Sequence, residues 1–95
     1  MRSVKYKYTR QFKRDYRREK SGRHRRSLDI DLAEVVRLLA NDEVLPRRYF
    51  DHALSGEWRD FRDCHIKPDL VLIYRKPDAE SLEFVRLGSH SELGF

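Results

Sequence analysis

Leu28, Leu32, Val35, Val36 and Leu39 recur with the spacing of one helical face. That spacing predicts a helix from about Leu28 to Ala40. Asp29 and Asp31 near its start suit the positive end of the helix dipole. Asn41-Asp42 and then Pro46 stop it. An earlier helix is expected from about Arg10 to Lys20. Phe12 and Tyr16 lie one turn apart and share a face. Thr9 is placed to cap this helix, and Ser21-Gly22 to end it. Its other positions are mostly Lys and Arg. So narrow an apolar stripe cannot hold a helix in water, so it must dock on a sheet.

Strand patterns surround these helices. Val4 to Tyr8 alternates apolar and basic residues. Trp58 to Ile66 also reads as an alternating strand, with Trp58, Cys64 and Ile66 on one face and Arg59, Phe61, Asp63 and His65 on the other. Leu70 to Arg75 is nearly continuous apolar chain, and Leu82 to Leu87 is the last clear strand. Lys67-Pro68-Asp69 and Pro77-Asp78-Ala79-Glu80 read as turns, and Pro46 to Glu57 as a loop carrying Asp51 and His52. The order is β-α-α-β-β-β, an α+β fold. Its late strands are joined by short turns and should therefore be antiparallel. Both helices are expected on one face of the sheet, leaving the other open.

At 95 residues the chain is expected to form one domain, 1–95, with a modest core. It lacks an apolar run of about 18 residues, so no membrane association is expected. The basic start has no apolar segment after it, so a secretory signal is not expected. A lone cysteine fits a reducing, cytoplasmic setting. Charge is unevenly spread: residues 1–26 carry 12 of the 21 Lys/Arg and 2 of the 16 Asp/Glu. That asymmetry suggests a polyanion or an acidic partner, with Arg14, Arg17 and Arg18 as candidate phosphate contacts on the first helix.

His52, His65 and His90 gather in the second half, with Asp69 and Arg86 nearby in sequence. Such a set suits metal-free RNA cleavage. A base removes the 2′-hydroxyl proton, an acid protonates the leaving 5′-oxygen, and a cation meets the phosphate charge. His24, beside three arginines, reads as part of the basic patch. Cys64 should face away from His65 on a strand, so that histidine cannot activate its thiol. One cysteine is too few for an ordinary structural zinc site, and neither a metal nor another cofactor is expected. Trp58 reads as packing rather than as a stacking platform.

The order Asp51-His52, Leu54-x-Gly56-x-Trp58, Arg62-Asp63-x-His65, Pro68-Asp69, Leu72-Ile73-Tyr74 and Arg86-x-Gly88-x-His90 resembles the YafQ branch of the RelE-type bacterial toxins. The likeness runs from about Tyr49 to Leu93; the N-terminal half is similar mainly in layout. The resemblance implies the RelE-like form of the α+β fold. It implies the toxin of a type II toxin–antitoxin system, an endoribonuclease cutting mRNA in the ribosomal A site and held in check by a cognate, acidic antitoxin. Carried over residue by residue, it makes His65 and His90 acid/base groups and Asp69 a base or an orienting carboxylate. His52 becomes a phosphate contact or a partner in proton transfer, and Arg86 a phosphate ligand. Two positions depart from the pattern. Leu70 stands where the family has tryptophan, and the terminal aromatic Phe95, a candidate stacking residue, arrives one residue late. Those departures keep open an alternative, a non-catalytic RNA- or antitoxin-binding module of the same fold.

Overall fold

The structure is a computed structural model and describes residues 4–94. Strand β1 (Lys5–Tyr8) leads into helix α1 (Arg10–Lys20) and helix α2 (Leu28–Ala40). A 3-10 turn (Arg47–Tyr49) precedes the short strand β2 (His52–Ala53), and a second (Gly56–Trp58) follows it. Strands β3 (Arg62–Lys67), β4 (Leu70–Arg75) and β5 (Ser81–Gly88) form a meander, and helix α3 (His90–Leu93) closes the described chain. The sheet has 5 strands in the order β1-β5-β4-β3-β2, with β1 parallel to β5 and the other pairs antiparallel. No helix of the described residues is long and apolar enough to cross a membrane.

The bounds of α1, α2 and β4 are those the apolar spacing predicts. Thr9 caps α1, its side chain accepting from the Phe12 amide. Leu28, Val35 and Leu39 of α2 pack with Phe12 of α1 against Cys64, Ile66, Leu70, Leu72, Tyr74, Leu82, Phe84 and Leu87 of the sheet. Phe84 and Leu87 are an odd number of residues apart, yet both join this core. A register shift makes that possible: Ile73 pairs with Arg86 while Tyr74 pairs with Phe84. Val85 is the extra residue, and a bulge of this kind returns the next side chains to the face they need. Leu70 is 1% exposed and sits inside the core, so the departure from tryptophan there concerns packing.

The entry to β3 differs from its expected form. Gly56 adopts a left-handed backbone (φ 65°), and the Trp58 amide donates to the Ser55 carbonyl, so the chain turns at Trp58 instead of running extended. Trp58 packs edge-on against Phe61 with ring centroids 5.2 Å apart. The expected loop at His52 contains β2, which pairs His52 with Asp63 and Ala53 with Arg62. The second sheet face is also less bare than expected: Val71 and Ile73 are fully buried there.

Beyond Phe84, β5 loses its neighbour on the β1 side because β1 is only 4 residues long. Helix α1 takes the strand's place with side chains. The Thr9 hydroxyl donates to the Val85 carbonyl at 2.7 Å. Asp15, 2% exposed, accepts from the Leu87 amide at 3.0 Å, and Arg18 donates to the Leu87 carbonyl at 2.8 Å. A buried sheet edge must satisfy its backbone groups somehow, and here an ionic helix face does so.

Candidate active site

Alternation along β3 sends Cys64 and Ile66 into the core and Asp63 and His65 to the other face. Across the ladder, His65 pairs with Val71, and Val71 with Gly88 at the end of β5. The chain then turns into α3, whose first residue is His90. Ser89 caps α3 by accepting from the Glu92 amide, and the Glu92 carboxylate accepts from the Ser89 amide at 2.8 Å. Arg18 holds Glu92 at 3.2 Å, tying α3 to α1. A side chain at Gly88 would meet the Arg18 guanidinium at 2.8 Å, so glycine permits this close approach. His90 thus returns over β4, and its ring centroid lies 5.0 Å from that of His65.

His52 enters from the opposite side. Its Nδ1 lies 2.8 Å from the Phe50 carbonyl and 3.2 Å from Asp63 Oδ1. A carbonyl only accepts, so Nδ1 carries a proton and Nε2 is the nitrogen left to exchange one. The segment carrying His52 is anchored by Asp51, which accepts from Arg62 at 2.9 Å and from the Tyr74 hydroxyl.

Asp63 lies at the centre of this cluster. It is 3% exposed, and among the described residues its Oδ1 has no aligned hydrogen-bond donor, the 3.2 Å approach of His52 Nδ1 being an ion-pair contact only. Burial pushes its carboxyl above the ordinary range; the charges of His52, His65 and His90 oppose that rise, and Asp51 adds to it. Because the native carboxyl binds its proton more tightly than the unfolded one, ionising it costs stability as pH rises. Asp63→Asn is therefore expected to melt at or above the wild-type temperature at neutral pH. The difference should vanish in acid, where the wild-type carboxyl is itself neutral. Melting curves across that range check this, and a variant clearly less stable at neutral pH would contradict the burial cost.

The other sequence candidates lie elsewhere. Asp69, in the turn after β3, is ion-paired with Arg23 and lies 3.1 Å from His24 Nε2, so the α1–α2 connector engages it rather than a cluster histidine. His24, expected to be only part of the basic patch, is thus an ordered partner of Asp69. Arg86 is held by Asp15, Nε to Oδ2 at 2.8 Å. Arg18 contacts Asp15, Glu19 and Glu92. Arg14 and Arg17 are exposed on α1. Phe95 falls outside the described residues. Cys64 is fully buried and its thiol is pushed up by that burial, which disfavours a reactive thiolate. A groove of about 730 Å³ between β1, α1 and α2, lined by Tyr6, Tyr8, Phe12, Tyr16, Leu32 and Phe84 among others, contains none of the histidines.

This meander with a helix pair on one face and a histidine cluster on the other has the RelE-like fold of small bacterial toxins. The profile of the YafQ toxins of type II toxin–antitoxin systems matches residues 4–94, and the chain belongs to that family. A relative from Haemophilus influenzae, described as a candidate toxin YafQ, is 38% identical over 96 residues, covering 94% of this chain and 90% of its own. The mRNA interferase toxin YafQ of Escherichia coli K12 is 43% identical over 63 residues, covering 65% of this chain and 67% of its own. A solved structure of the E. coli DinJ–YafQ toxin–antitoxin complex superposes with a TM-score of 0.81 at 33% identity, covering 96% of this chain and 97% of that one.

Proposed function

We propose that this protein is the toxin of a type II toxin–antitoxin pair and an endoribonuclease that cuts mRNA in the ribosomal A site. The observation that carries the reading is the His65–His90 ring pair on a sheet face away from the helix-packed core. Two imidazoles at this separation can flank one phosphodiester. One takes the 2′-hydroxyl proton as that oxygen attacks phosphorus, and the other protonates the departing 5′-oxygen. His52, with Nε2 left to exchange a proton, shares the proton work or contacts phosphate. The Phe50 carbonyl orients His52, and Asp63 balances positive charge among the three rings. Asp69 acts once substrate draws it from Arg23 and His24, and Arg86 adds positive charge on β5. No step requires a metal. Exposed Arg14 and Arg17 hold RNA phosphates, a contact that weakens with salt. Arg18 serves mainly to tie α1 to α3.

The E. coli YafQ relative, solved with DinJ, supports a protein antitoxin as the second partner. An acidic antitoxin would complement the net charge of +5. Induced expression without a partner tests the reading. Growth should arrest and messages should be cut within codons, and co-expression of the neighbouring antitoxin frame should restore growth. Normal growth with soluble, folded protein would favour the non-catalytic binding module.

A further inference from the structure

Phe50 combines two costs that usually signal a purpose. Its ring is exposed (64%), and its backbone is left-handed at φ 48°, ψ 40°. For a bulky side chain that conformation persists only when its surroundings impose it. Here they do. The Phe50 amide donates to the Arg47 carbonyl at 3.0 Å, its carbonyl meets His52 Nδ1, and neighbouring Asp51 is anchored on Arg62 and Tyr74. The held ring stands 5.4 Å from the His65 ring, tilted by 50°. Beside it opens a pocket of about 470 Å³, lined by Phe50, His65, Arg48, Tyr49, Lys67 and Asp31 among others. Lys67 is paired with Asp31, whereas Arg48 is exposed and lies over the Tyr49 ring. Among the described residues, the other exposed Phe and Tyr side chains, Tyr6 and Tyr8, line the remote groove, and Leu70 is buried.

We infer that Phe50 is the stacking platform for one base of single-stranded RNA next to the cut phosphate, with that base entering the Arg48–Lys67 pocket. An unpaired base offers a π-face to an exposed ring whatever its identity, and nearby cations suit the flanking phosphates. With its backbone fixed, the ring has only its two side-chain torsions to lose on binding. This inference rests on the ribonuclease reading and names a base subsite beside its histidines.

The test uses the full chain and a short single-stranded RNA blocked against cleavage by 2′-deoxy sugars, with binding read by fluorescence anisotropy. Phe50→Ala and Phe50→Leu should bind about 5- to 150-fold more weakly than wild type, while Phe50→Trp should match it. An abasic nucleotide at the contacted position should weaken wild type but cost Phe50→Leu nothing more. Melting curves verify that each variant is folded. Equal binding by wild type and Phe50→Leu, or no binding by wild type, overturns the subsite. Cleavage of unblocked, ribosome-bound mRNA is scored separately. Cutting with unchanged Phe50→Leu binding would sink the subsite and keep the ribonuclease. Lost Phe50→Leu binding without any wild-type cutting would keep the subsite and sink the ribonuclease.

Discussion

Alanine at His65 or at His90 should slow single-turnover RNA cleavage by about 10²- to 10⁴-fold each and leave melting nearly unchanged. His90 is exposed and His65 half-buried, so little packing is lost with either ring. Their ring centroids are 5.0 Å apart, so they act on one phosphate and their effects should not multiply. A double variant should be hardly slower than the worse single one. His52→Ala should cost less if His65 can take over its proton work. Near-wild-type cleavage by both single variants would remove the chemistry assigned here.

The largest stability effect is expected at Asp15. Its side chain is 3% exposed and accepts from Arg86 Nε at 2.8 Å, from the Leu87 amide at 3.0 Å and from Arg18 at 3.1 Å. Alanine would strip a donor-filled site of its only acceptor among these contacts. A guanidinium and a buried sheet-edge amide would then be left without it. Breaking one side of a buried charge pair typically costs about 3–5 kcal/mol. At about 4–8 °C per kcal/mol for a chain of this size, the melting temperature should fall on the order of 10–20 °C or more. Thr9→Ala, which removes a helix cap and the hydroxyl's bond to the Val85 carbonyl, should cost only about 2 kcal/mol. Denaturant melts of the two variants check the ranking; an Asp15→Ala protein as stable as Thr9→Ala would mean that the Asp15 carboxylate does not hold the edge of β5.

Much of this fold is legible in the chain because its strongest patterns are local. The period in Leu28, Leu32, Val35, Val36 and Leu39 depends on no distant contact, and β4 is apolar almost throughout because both of its faces are covered. Convergence of His65 with His90 also follows from strand reversal, which brings the end of β3, the start of β4 and the end of β5 to one side. What escaped depends on pairing across sequence distance. Strand β2 has two residues and exists through its pairing with β3. The engagement of Asp69 by Arg23 and His24 leaves no trace in spacing. Other features left usable signals. Ser89-x-x-Glu92 is a capping box that announces α3. Asp15, three residues after Phe12, lies on the helix's docking face, where a carboxylate is out of place unless paired. Asp63 shares its strand face with His65, two residues on, so its place among the imidazoles was within reach of alternation alone.

If imidazoles drive attack by the ribose 2′-hydroxyl, the cut ends carry the record of it. Purified wild-type protein should be mixed with ribosome-bound mRNA in the presence of a zinc-selective chelator, and the upstream fragment analysed by mass spectrometry. Attack by the 2′-oxygen predicts a 2′,3′-cyclic phosphate or the 3′-phosphate formed when it opens. A 3′-hydroxyl end, or cleavage abolished by the chelator and restored by added zinc, would contradict the account.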